Sequence, residues 1–205
     1  MKKIALTSAF ALLLIFSSSC LNTLHPIFTE KDLTYDPKLI GKWKTDNREG
    51  VVITNLATES SIELPGNISS IKQKGYLISY QHENGEITER YIAFLARIGK
   101  HLYFDYFPAD KKEAREIDDF FEAHFVKMHS SYRVEISKDG NYELSRLDED
   151  YVKKLINEKK IRISYEKDAD DNIVITASTS ELQQYIIKYG DEPAAYRSDK
   201  TILRK

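Results

Sequence analysis

His101, Tyr103 and Asp105 are the residues best placed to do chemistry in this chain. They occupy alternate positions, so on a β-strand they share one face. An imidazole, a phenol and a carboxylate converging in a cleft would make a general acid–base site. The carboxylate also has a structural reading: near a strand end, with Pro108 close behind, Asp105 could accept hydrogen bonds from backbone amides. A metal site finds less support. His124 and His129 fall on opposite faces of a strand and off a common helix face, and no HExxH pattern occurs, so no metal and no cofactor is expected. Gly-x-Ser-x-Gly, P-loop and GxGxxG patterns are absent. Asp105, Asp118, Asp119 and Glu122 supply carboxylates, but their spacing selects no glycosidase geometry.

The elements that must position these side chains are marked by turn residues. Asn84-Gly85 has the residues of a two-residue type I′ hairpin between a strand at 76–82 and one from Ile87 onward. Gly99-Lys100 fits a type II′ turn between 92–98 and 101–107. Asp139-Gly140 joins 133–137 to 141–147, and Asp168 to Asn172 makes a longer turn between 161–165 and 173–176. Four successive hairpins imply an antiparallel meander. If the Gly99 turn is tight, Asp105 lies opposite Phe94, on a face that also holds His101, Tyr103 and Phe107. The opposite face, with Tyr91, Leu95, Phe104 and Tyr106, is equally apolar, so both sides of the hairpin are covered, one by a barrel or sandwich interior and the other by helices. Phe94, His101, Tyr103, Asp105 and Phe107 are the candidate ligand contacts.

Two amphipathic helices belong to the C-terminal half. Asp148 can cap a helix with the stripe Tyr151, Val152, Leu155, Ile156. Ser178 and Glu181 form a capping box ahead of Leu182, Tyr185, Ile186 and Tyr189, with Gly190 placed as the stop. The charge-dense stretch from Pro108 to Asp119 reads as a solvated loop or short exposed helix.

The chain opens on Lys2 and Lys3, an apolar run from Ile4 to Phe16 and then Ser17-Ser18-Ser19-Cys20. The run is too short to span a bilayer comfortably, which takes ~20 apolar residues; with its positive flank and small-residue end it reads as an export signal over residues 1–19. Cys20 is the chain's only cysteine, so no intramolecular disulfide is available. The arrangement resembles the lipobox of bacterial lipoproteins, with Ser17 where that family usually has Leu. The resemblance implies lipidation of Cys20 and attachment to a membrane through acyl chains, the outer membrane being favoured because Leu21 is not the aspartate of inner-membrane retention. Residues 20–38, broken by Pro26 and Pro37, read as a lipidated tether whose apolar residues could dock on the domain. With 30 basic against 32 acidic residues and no basic face, the composition argues against a nucleic-acid partner.

Leu39-Ile40-Gly41-Lys42-Trp43, with Arg204 near the end, resembles the lipocalin and wider calycin pattern, in which a Gly-x-Trp on the first strand packs against a late arginine. The broader layout is similar to lipocalin-like bacterial lipoproteins without established activity. The expectation is therefore a single α+β domain over 39–205. It is mainly an antiparallel meander forming a bent sheet or lipocalin-like barrel, with two helices, and is non-catalytic. It holds a small apolar ligand inside the barrel or, alternatively, contacts an envelope protein without a ligand cavity. The acid–base site at Asp105, His101 and Tyr103 is the remaining alternative.

Overall fold

Gly99 has φ +59° while Lys100 keeps a negative φ, as a type II′ turn requires, and the two residues join Ile87–Ile98 (β6) directly to His101–Pro108 (β7). The pairing that follows puts Phe94 opposite Asp105 and Ile98 opposite His101. The structure is a computed structural model that describes residues 21–46, 50–60, 62, 66–82, 84–109, 126–167 and 172–205.

The Asn84-Gly85 connection differs from a two-residue turn. Between Gly75–Gln81 (β5) and β6, the His82 amide donates to Glu86 O at 2.9 Å and the Gly85 amide to His82 O at 2.9 Å, with Gly85 at φ +84°. Asp139-Gly140 repeats this, with Ser137 N to Asn141 O at 2.9 Å and Gly140 at φ +80°, between His129–Ile136 (β8) and Tyr142–Leu147 (β9). Both connections are the longer hairpin form in which a glycine takes the left-handed position at the end of the turn.

Gly41–Lys44 (β3) and Gly50–Asn55 (β4) precede β5, and Tyr196–Leu203 (β12) follows β9, so β3-β4-β5-β6-β7-β8-β9-β12 is one antiparallel run. Its two outer strands meet at a single bridge: the Lys44 amide donates to Arg204 O at 2.8 Å and the Arg204 amide to Lys44 O at 3.0 Å. The sheet is mixed. Asn22–Thr23 (β1) lies antiparallel to β8 and parallel to Ile173–Ile175 (β11), which pairs with Tyr165–Lys167 (β10). The strand expected at 161–165 is thus confined to its last residue and the two beyond it. Leu33–Thr34 (β2) pairs with the end of β6 that β5 leaves uncovered.

Residues 21–38, expected to form a tether, are built into the domain. Leu21, Ile27, Phe28 and Leu33 are buried, and the segment is fastened to the second helix: Thr179 donates to Pro26 O at 2.8 Å and Gln183 to Ile27 O at 2.9 Å. Pairing on both sides supplies the backbone partners that a two-residue strand lacks by itself.

The helices span Glu149–Asn157 and Thr179–Tyr189. Asp148 caps the first through Tyr151 N at 2.8 Å, and Ser178 and Glu181 close the capping box of the second. Val152, Leu155, Leu182 and Ile186 bury their stripes on one sheet face, together with Phe28, Phe94, Tyr103 and Phe107. The other face gathers Trp43, Ile53, Tyr76, Leu95, Phe104, Tyr106 and Tyr142 into a separate core. In this second core Trp43 meets Tyr142 edge-on at 5.3 Å and donates to Leu39 O at 2.7 Å. The expected cation–π contact of Arg204 on Trp43 is taken by another residue. Arg204 pairs with Asp46, and the cation over the indole is Lys205, 5.1 Å from its ring.

Candidate functional site

Alternation along β7 sends Tyr103, Asp105 and Phe107 beneath the helices, where Phe94, Tyr103 and Asp105 have no exposure and Phe107 almost none. Asp105 is fully engaged: Oδ2 accepts the Ile27 amide at 2.9 Å and Oδ1 pairs with His129 Nδ1 at 2.5 Å. His101 has a different partner, Asp191, at 2.7 Å; Asp191 also binds Lys100 at 2.8 Å, and these two contacts hold its carboxyl below the usual range. His101 and Asp105 share a strand face but not a site. The Tyr103 hydroxyl meets that of Tyr196 at 2.9 Å, and Tyr196 donates to Gly190 O at 3.0 Å, under the Arg133 guanidinium. Phe94 packs on Phe28 at 5.1 Å and stacks on Phe107 at 6.5 Å. Of the five candidate contacts, His101 is partly exposed beside Asp191 and only Phe107 also borders a cleft.

That space lies on the other sheet face. A cleft of about 790 Å³ is walled by Tyr80 of β5, Tyr91 of β6, Tyr106 of β7 and Tyr132 of β8, with Leu144 and Arg146 of β9 and Thr201 of β12. The tyrosines share the strand parity of the second core, so period-two alternation delivers one from each of four successive strands. Adjacent rings meet edge to face, Tyr80 with Tyr91 at 6.0 Å, Tyr91 with Tyr106 at 6.3 Å and Tyr106 with Tyr132 at 5.2 Å, the geometry the ring quadrupole favours. Arg146 lies 5.1 Å over the Tyr132 ring and donates to its hydroxyl at 3.0 Å. Tyr91 donates to Glu89 at 2.6 Å. Thr45 Oγ1, also in the wall, is buried without a hydrogen-bond partner among the described residues.

Burial, reinforced by Glu89 at Tyr91, pushes the hydroxyls of Tyr91 and Tyr106 above the ordinary tyrosine range. At neutral pH the cleft therefore offers the protonated hydroxyls of Tyr91 and Tyr106 and flat ring faces, with Arg146 and Glu89 in the same wall, a set suited to holding an amphipathic ligand. Burial likewise raises Tyr103 and Tyr185 under the helices. Because the folded chain keeps these protons where an unfolded one, with tyrosines near about 10, releases them, stability is intact below about pH 10 and falls as pH rises beyond it. Tyrosinate absorbance in an alkaline titration is expected to appear together with loss of the near-ultraviolet circular dichroism. Full ionisation of the tyrosines with that signal retained would contradict the expectation.

The tyrosine wall was not picked out from the sequence, although 13 tyrosines against one tryptophan was a signal. Cys20, His124, Asp118, Asp119 and Glu122 lie outside the described residues. Among the described residues no group of three His, Cys, Asp or Glu side chains could hold a metal ion, and no helix is long and apolar enough to cross a membrane. Compared with protein-family models, with curated proteins and with solved structures, the chain matches none.

Proposed function

We propose that this protein is an exported, lipid-anchored bacterial envelope protein that binds a small amphipathic ligand without catalysis. In this reading the run from β3 to β9 and β12 is a calycin-like barrel, completed by the Lys44–Arg204 bridge, and the tyrosine cleft is its partly filled interior. The observation that carries the reading is the wall of four tyrosines from four neighbouring strands, backed by Arg146. The ligand differs from the purely apolar one anticipated from Phe94, Tyr103 and Phe107: the cleft surrounds its occupant with hydroxyls and ring faces, with Arg146 and Glu89 both in the wall, which favours a flat or chain-like apolar body with a hydrogen-bonding head. The export signal and the Cys20 motif supply the address.

The aromatic anion anilinonaphthalene sulfonate tests the site. Tyr91→Ala removes ring contacts to Tyr80 and Tyr106 and is expected to weaken binding about tenfold (~1.4 kcal/mol). Ile187→Ala, exposed on the helix side, is expected to leave it unchanged. Equal affinities in both variants and the parent would place the dye elsewhere and remove the cleft as the binding site.

A further inference from the structure

We propose that the mouth of the tyrosine cleft is held against the bilayer, so that the phospholipid interface, and not the aqueous compartment, is the surface the site opens on. This rests on the lipid-anchor reading of Cys20. The carrying observation is where the anchored end joins the fold. Asn22 lines the cleft and is fixed within the sheet, opposite Val174 of β11 on one side and Ser130 of β8 on the other, whose hydroxyl donates to Asn22 Oδ1 at 3.0 Å. Leu21 is itself buried. Two residues of extended chain reach at most roughly 7 Å, so whatever conformation residue 20 takes, an acyl group on it stays beside the cleft. No length of chain remains with which the domain could turn its mouth to the water.

The residues around the mouth fit that position. Val126 is 63% exposed, and with Met128 and Pro108 it borders the same opening as Tyr80 and Tyr91. Exposed aliphatic side chains mixed with tyrosines suit a membrane–water boundary, where a ring can face the acyl region while its hydroxyl stays hydrated. A ligand drawn through such a mouth comes from what the bilayer dissolves, so the amphiphile of the proposed function would exchange with the membrane and not with solution.

Cys20 is the only cysteine of the chain, and once its thiol carries lipid a second cysteine can be labelled uniquely. Ile136, 51% exposed, lies at the other end of β8, about six residues past Ser130 and so roughly 20 Å along the strand. Full-length protein carrying Val126→Cys or Ile136→Cys is labelled with a fluorophore and reconstituted in phosphatidylethanolamine–phosphatidylglycerol vesicles, with and without a phospholipid spin-labelled on its headgroup. Quenching at position 126 is expected to exceed that at 136 by about threefold or more. Equal quenching, or stronger quenching at 136, overturns the orientation. Fatty-acid labelling of the same preparations against Cys20→Ala separates the two ways of failing. Label equal in both and no flotation with the vesicles removes the anchor and the orientation together; label lost in Cys20→Ala but equal quenching at the two sites removes the orientation alone.

Discussion

Asp105→Ala is expected to cost the domain about 3–5 kcal/mol, because it strips two hydrogen bonds from one buried site at about 1–3 kcal/mol for each group left unsatisfied. The carboxylate is wholly inaccessible and both oxygens are in use. Its loss leaves the amide of Ile27, a residue with no exposure, without an acceptor, and leaves His129 facing an apolar gap. Asp105→Asn keeps an acceptor for Ile27 and is expected to cost less than half as much. Urea denaturation followed by Trp43 fluorescence gives the totals. Amide exchange locates the damage: protection should fall first at Ile27, ahead of the strands around Trp43. A variant within about 0.5 kcal/mol of the parent would show that the junction contributes little, and would return Asp105 to the list of residues kept for another purpose.

Gly190→Ala should be nearly as damaging, about 2–3 kcal/mol, the scale of overpacking a filled interior. The reason is not backbone strain, since Gly190 has φ −64°, which any residue adopts. A Cβ there would sit 2.5 Å from Ile186 O and 2.8 Å from the Tyr103 hydroxyl. The carbonyl cannot retreat without breaking the last hydrogen bond of the helix, Gly190 N to Ile186 O at 2.7 Å, and the hydroxyl cannot without leaving Tyr196. Tyr103→Phe removes the hydroxyl and should be mildly destabilising alone, yet the double variant should be more stable than the sum of the two losses predicts. Simple additivity would mean that the methyl is accommodated some other way.

Much of the sheet was readable from turn chemistry. Glycines 85, 99 and 140 do take left-handed conformations, and with the Gly99 turn fixed, the opposition of Phe94 and Asp105 follows by counting. The same counting sorts β6 and β7 side chains into two faces but is blind to which face the helices cover, because both are apolar. That symmetry makes Phe94, Tyr103 and Phe107, which the helices bury, indistinguishable by sequence from Tyr91 and Tyr106, which line the cleft. The extra residue in the Asn84 and Asp139 hairpins depends on local bonds such as that donated by the Glu86 amide to Asn84 Oδ1, for which the dipeptide alone gives no sign. β1 and β2, two residues each, are too short to carry any periodicity. Their place comes from contacts with His129, Ser130, Val174 and Ala96, distant in sequence. Lys205 displaced Arg204 at Trp43 because the Lys44 bridge and Asp46 hold the arginine on the neighbouring position of the strand.

The lone bridge between Lys44 and Arg204 also sets a timetable. Arg204 and its side-chain partner Asp46 are 158 residues apart, and β1 meets Ser130 from a separation of 108. Contacts this distant demand a large loop-closure entropy before any of them is rewarded, which slows folding. The antiparallel run cannot be completed until Arg204 has been delivered. For a polypeptide proposed to cross a membrane before it folds, that delay is useful: a chain whose β12 has yet to join β9 and Lys44 cannot complete the sheet that would obstruct its passage.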